Sequence, residues 1–205
     1  MGLNQQQLAR ALFPLGKHTK QQTLAWAEHT GIKPLVAQES QDICFAASGD
    51  YTDFVRKHSN GACDTQSGPI LDVSGNLLGR HKGIHYYTVG QRRGLGIPST
   101  APYYVIWIEP GSKAVIVGRT KDLFCEKFTV SHVNWCSIGR PDEPITCRVR
   151  IRNLHRPALA EVTPLNGAAA LVRFFEPQRA VTPGQAAVFY SDDLLLGGAI
   201  IDRHS

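Results

Sequence analysis

From Gly68 to the C-terminus the sequence is cut into short apolar runs by turn residues, and this punctuation constrains the fold more than any other feature. Pro69 to Val73 and Leu77 to Gly79 flank Ser74-Gly75-Asn76, while Tyr104 to Ile108 and Ala114 to Gly118 flank Glu109-Pro110-Gly111-Ser112-Lys113. Each pair reads as a β-hairpin, since such turn residues join antiparallel strands. Six further runs follow: Phe128 to Trp135, Ile145 to Ile151, Leu159 to Val162, Ala170 to Phe174, Ala186 to Tyr190 and Leu194 to Ile201. Strands at this spacing predict a small closed barrel or a sandwich.

The beginning of the chain has a helical character. Asn4 with Gln7 forms a capping-box pattern ahead of Leu8 and Leu12, and Phe13-Pro14-Leu15-Gly16 ends that helix. Thr19 with Gln22 repeats the pattern, and Gly31 stands where a left-handed residue would close the second helix. Tyr51, Phe54, Val55 and His58 recur at i, i+3, i+4 and i+7 and predict a third helix. With a boundary near residues 121 to 127, the expected organisation is a helical segment over 1–62, a small β-rich domain over 63–125 and a C-terminal β domain over 126–205. The fold class is mainly β with a short helical N-terminal segment.

The 205 residues are 42% hydrophobic and 19% charged, a globular composition. No run reaches the roughly 18 apolar residues of a membrane helix, and the start lacks the apolar stretch of a signal peptide, so a cytoplasmic chain with no membrane contact is expected. The five cysteines, Cys44, Cys63, Cys125, Cys136 and Cys147, include no C-x-x-C pair, which gives no zinc pattern and no expected metal.

The net charge of +5 is unevenly distributed. Arg80, Lys82, Arg92 and Arg93 lie in a stretch between Asp72 and Glu109 that has no acidic residue, and Arg148, Arg150, Arg152 and Arg156 lie in another between Glu143 and Glu161. Segregation of this kind suits a polyanionic partner, and solvated strand faces are the alternative. Within the first island, Gly90-Gln91-Arg92-Arg93-Gly94-Leu95-Gly96-Ile97 is a glycine-punctuated loop with two adjacent guanidinium groups. Arginine forks match phosphate oxygens, but the G-K-[ST] end of a P-loop is missing.

Two further positions carry chemistry. Cys44 lies between a polar segment and Ala46-Ala47-Ser48-Gly49, ahead of the third expected helix, where the backbone dipole would favour thiolate. Gln185, in Thr182-Pro183-Gly184-Gln185, stands at the exposed start of a strand, where its amide can read a base edge or close a turn.

These runs, with Ser40-Gln41-Asp42-Ile43-Cys44-Phe45, Tyr87 to Ile97 and Ala180 to Tyr190 as the longest, resemble the tRNA-specific 2-thiouridylases, which place sulfur on the wobble uridine of tRNA. The resemblance implies a small central tRNA-binding domain and a six-stranded C-terminal β-barrel. It also implies an N-terminal PP-loop domain that uses ATP to activate the uridine and supplies a second catalytic cysteine able to pair in a disulfide. No S-G-G-x-D-S motif occurs here, so the chain is expected to be the C-terminal portion of such an enzyme and inactive alone, with no cofactor of its own. Residues 1–62 would then be a remnant of the catalytic domain.

By the same resemblance Cys44 carries the persulfide, and Arg152, Asn153, Gln185, Arg92 and Arg93 contact tRNA. The family usually has Arg followed by Tyr where this chain has Arg152-Asn153, which removes a stacking ring. The implied partners are tRNA and a sulfur-donor protein, with the chain a monomer. A non-catalytic RNA-binding barrel module is the competing reading. Methyl transfer, suggested by the family's older name, lacks a glycine-rich S-adenosylmethionine site.

Overall fold

The computed structural model describes residues 2–32 and 66–202. Cys44, Cys63 and the helix expected over 51–58 lie outside the described residues.

Both N-terminal capping boxes form. Asn4 Oδ1 accepts from the Gln7 amide and Gln7 Oε1 from the Asn4 amide, each at 2.9 Å, opening helix α1, Gln5–Leu8. Thr19 and Gln22 do the same for α2, Lys20–His29. Gly31, at φ 74°, closes α2, because the amide of Ile32 bonds the Ala27 carbonyl at 2.8 Å and that of Gly31 bonds Glu28 at 3.1 Å. The first helix is shorter than the sequence suggests, ending before Leu12, which is 88% exposed. No residue of either helix is buried, so local caps rather than core packing hold them. Asn134 Nδ2 ties the segment to the β-region through the Leu3 carbonyl at 2.9 Å, and the Gln5 amide does so through the Cys136 carbonyl.

The two expected hairpins are present as β1 Gly68–Asp72 with β2 Leu77–His81, and β3 Tyr104–Glu109 with β4 Ala114–Gly118. At the first turn Asp72 accepts from the Asn76 side-chain amide and from the Asn76 and Ser74 backbone amides, each at 2.9 Å, and these bonds, that of the Asn76 side chain foremost, hold its carboxyl below the usual range. A parallel pairing of β1 with β4 joins the hairpins into one sheet, ordered β2-β1-β4-β3. Ile70, Val105, Val115 and Val117 form its core.

The remaining strands are β5 Phe124–Trp135, β6 Ile145–Arg150, β7 Ala158–Leu165, β8 Ala169–Arg179, β9 Ala186–Ser191 and β10 Leu194–Ile201. They close into a six-stranded antiparallel barrel, β10-β5-β8-β7-β6-β9, which decides the sequence's choice between barrel and sandwich. Closure needs strands that bend. The register shifts between Cys125 and Lys127, Gly198 and Ile200, and Leu195 and Gly197 provide the irregularities that curve the sheet. Alternation along β6 puts Cys147 and Val149 in the core with Phe128, Phe174 and Phe189, and leaves Arg148 outside.

Candidate nucleic-acid interface

The loop after β6 is built by the arginines that strand alternation leaves outside the barrel. Arg150 donates from Nε to the Arg152 carbonyl at 3.3 Å, and from Nη2 to the carbonyl of Asn153. Arg152 reaches across to the end of β8, where its Nη1 donates to the carbonyls of Arg179 at 3.0 Å and Ala180 at 3.3 Å. His155 closes the turn: its amide bonds the Arg152 carbonyl at 3.1 Å and its ring Nε2 lies 3.0 Å from Gln178 Oε1. The ring is buried, and desolvation, followed by Arg152 and Arg150, pushes its pKa down despite the opposing Gln178 bond.

A guanidinium has five N–H groups, and those facing carbonyls are only part of the set. The rest remain available to an anion, and carbonyl anchoring fixes the direction in which they point. Neither Arg150 nor Arg152 has a carboxylate partner among the described residues.

Arg150, Arg152, Asn153 and Gln185 line one surface cleft of about 370 Å³, floored by Ala186, Val188 and Tyr190. The antiparallel register places Arg150 opposite Val188 and Arg148 opposite Tyr190. Gln185 is exposed at the cleft's edge, where the preceding glycine, Gly184 at φ 80°, turns the chain into β9. Three sequence-predicted positions, Arg152, Asn153 and Gln185, are therefore neighbours despite the distance between them in the chain.

Arg92 and Arg93 stand elsewhere, exposed on the glycine-rich loop between β2 and β3. That loop is well anchored. Gln91 Oε1 accepts from Thr88 and its Nε2 donates to the Arg93 carbonyl, both at 2.9 Å, while Leu95 is buried in the sheet core. Gly90, Gly94 and Gly96 all take positive φ, which lets the chain reverse around Leu95. Arg92 lines a second cleft of about 560 Å³ with residues 94–103. Arg119 braces two of the cleft's lining residues: its guanidinium lies 3.8 Å over the Tyr103 ring and bonds the Ala101 carbonyl at 2.5 Å. Arg119 and Tyr190 were not singled out from the sequence; an isolated arginine and a strand-end tyrosine carry no local signal.

The three described thiols suit packing better than chemistry. Cys147 is buried in the barrel and desolvation pushes its pKa up to about 11; Cys125 is also raised, mainly by burial, and Cys136 is buried.

Three family models match almost the whole chain: the tRNA methyl transferase HUP domain over residues 1–48, the tRNA methyl transferase PRC-barrel domain over 52–119, and the aminomethyltransferase beta-barrel domain over 125–201. Among curated relatives, tRNA-specific 2-thiouridylase MnmA 1 of Caldanaerobacter subterraneus subsp. tengcongensis is 43% identical over 201 residues, covering 98% of this chain and 55% of that protein. This chain belongs to the tRNA-specific 2-thiouridylase family. The MnmA proteins of Syntrophotalea carbinolica and a Synechococcus strain are each 44% identical, covering 97% and 98% of the chain and 56% of their own length. The chain thus spans just over half the length of the 2-thiouridylases it matches. Within the three family-model matches, Cys44 falls in the first domain, Arg92 and Arg93 in the second, and Arg152, Asn153 and Gln185 in the third.

Proposed function

We propose that this chain is the tRNA-gripping and sulfur-delivering portion of an enzyme that thiolates the wobble uridine of tRNA at C2. The observation that carries this reading is the cleft in which carbonyl-anchored Arg150 and Arg152 meet Asn153 and Gln185, on a chain of this family. Its guanidinium groups suit phosphate oxygens, and the Gln185 amide suits a base edge or a ribose hydroxyl. Arg92 and Arg93 add a second basic surface on the central domain. Cys44 carries sulfur as a persulfide received from a donor protein; the outer sulfur attacks the activated uridine C2 and displaces the activating group, and the parent enzyme's second cysteine then attacks Cys44 Sγ, forming a disulfide with it and leaving the sulfur on C2.

ATP-dependent activation of the uridine belongs to the parent enzyme. Among the described residues the glycine-rich loop does not fit an ATP site: it wraps around Leu95 and leads into β3, with no helix N-terminus to cradle phosphates. No step through ATP is assigned to them. The chain alone accordingly forms no 2-thiouridine, acts as a monomer, and works in the cytoplasm.

Titrating labelled tRNA onto the chain at several salt concentrations tests the binding role. The expected result is affinity that falls steeply with salt, since each neutralised phosphate releases counterions. Salt-independent affinity overturns it. In a parent enzyme, Cys44→Ser should abolish thiolation and leave tRNA binding intact; unchanged thiolation would favour a non-catalytic RNA-binding module instead.

A further inference from the structure

The strand register reveals a surface that extends beyond the cleft. Tyr190 on β9 is opposite Arg148 on β6, Arg148 is opposite Leu159 on β7, and the pairing of Ala160 with Phe174 puts Leu159 opposite Phe175 on β8. These four residues make one row across the outside of the barrel, with neighbouring strands about 4.8 Å apart and the whole row about 14 Å long. Leu159 is 46% and Phe175 53% exposed, though both sit mid-sheet where a polar residue would ordinarily face water. One end of the row enters the Arg150-Arg152-Gln185 cleft. The other enters a separate cleft of about 440 Å³, where Phe175 and Leu159 meet Arg156 and Gln178.

The charge on this face identifies its occupant. Arg148 and Arg156 have no carboxylate partner among the described residues, and Arg150 and Arg152 bond only carbonyls. Of the acids on these strands and their turns, Glu161 is paired with Arg173 at 3.3 Å, which leaves Glu176 and, at the turn after Tyr190, Asp192 and Asp193 against the four arginines. Aromatic and aliphatic faces interleaved with guanidinium groups match a single-stranded polynucleotide, whose bases stack on rings while its phosphates meet cations.

We propose that the outer face of β9-β6-β7-β8 is a platform for an unpaired segment of the RNA partner, with Tyr190 and Phe175 each stacking a base and Arg148 and Arg156 meeting the intervening phosphates. This rests on the tRNA-binding reading and adds a contact surface of different chemistry from the polar one at Arg152, Asn153 and Gln185.

The test is fluorescence anisotropy of the 205-residue chain with labelled tRNA and with a labelled single-stranded oligouridine. Phe175→Ala should weaken both roughly five- to a hundredfold without changing the salt slope, as expected for loss of one stacked base. Phe175→Trp should retain affinity. Tyr190→Ala should behave like Phe175→Ala, while Tyr190→Phe, which keeps the ring and the packing, should bind normally. Arg148→Ala should instead lower the salt slope by about one. If the wild-type chain binds tRNA and both ring-removing variants bind equally well, the platform is wrong and the cleft reading stands. Failure of the wild-type chain to bind any RNA overturns the tRNA-binding reading beneath it. A change in self-association on Phe175→Ala, with RNA affinity unaltered, assigns the face to a protein contact and overturns the platform.

Discussion

Arg152 Nη1 donates to the carbonyl of Ala180 at 3.3 Å, and Ala180 is itself held at φ 55°. The same residue faces the other basic loop, because a Cβ on Gly90 would lie 3.4 Å from the Ala180 side chain. A single turn after β8 therefore touches the base of the loop that carries Arg92 and Arg93 and orients the guanidinium of Arg152. The two arginine islands, far apart in sequence, share this support.

Arg152 is expected to act by direction as well as by charge. Arg152→Lys keeps the charge, but one ammonium cannot bond two carbonyls and still present a planar fork to an anion. Its tRNA affinity should fall nearly as far as that of Arg152→Ala, with a salt slope closer to wild type. Anisotropy at two salt concentrations separates the two variants. Wild-type affinity in Arg152→Lys would mean that only the charge counts.

Much of this arrangement was legible in the sequence, for identifiable reasons. The capping boxes at Asn4 and Thr19 and the turn at Ser74-Gly75-Asn76 are local, so a few adjacent residues specify them. The six-strand pattern was legible from period-2 alternation; closure into a barrel, which depends on long-range register and on bulges such as that between Cys125 and Lys127, was legible only through the family resemblance. The parallel pairing of β1 with β4 was hidden for the same reason: each hairpin looks complete in isolation. Arg152, Asn153 and Gln185 were recognisable by resemblance, whereas Tyr190 and Phe175 became visible only once cross-strand neighbours were known.

Two glycines bear on stability rather than on binding. A Cβ on Gly68 would lie 2.0 Å from the Lys113 carbonyl oxygen and 2.7 Å from His81 Nε2, where that ring nitrogen bonds the same carbonyl at 2.8 Å. A Cβ on Gly197 would lie 2.5 Å from the Asn134 carbonyl oxygen, between β10 and β5. Backbone cannot yield as a flexible side chain does. Gly68→Ala and Gly197→Ala should each destabilise by about 1–3 kcal/mol, whereas Gly75→Ala, with open space around it, should show only the cost of its φ of 84°. Thermal melts of the three variants check the order.

Thiol chemistry should separate Cys44 from the barrel cysteines. With its pKa pushed to about 11 and its side chain in the core, Cys147 is ionised to only about one part in a thousand at pH 8 and is shielded as well. Brief treatment of the native chain with iodoacetamide, followed by peptide mass mapping, should leave Cys147 unmodified and label Cys44 first. Labelling of Cys147 at a rate comparable to that of Cys44 would contradict both assignments.

His155 gives the fold a pH dependence whose sign can be worked out. Gln178 Nε2 donates to the Glu176 carbonyl at 2.8 Å, so its Oε1 is the acceptor for an Nε2–H of His155, and the buried Nδ1 has no partner among the described residues. Protonation there would bury a new donor without an acceptor and add a cation beside Arg152 and Arg150. Burial is the largest cause of the downward shift, so the folded state binds this proton less readily than the unfolded state, whose value is near 6.5. The unfolded chain therefore takes up protons first as pH drops. The contribution of His155 is fully present above about 6.5 and is lost progressively as pH falls towards the lower folded value. Melting temperature should decline from pH 7 to pH 5 more steeply in the wild type than in His155→Gln, whose uncharged amide does not titrate. Equal slopes for the two proteins would show that the pH dependence arises elsewhere, and a shallower wild-type slope would reverse the sign.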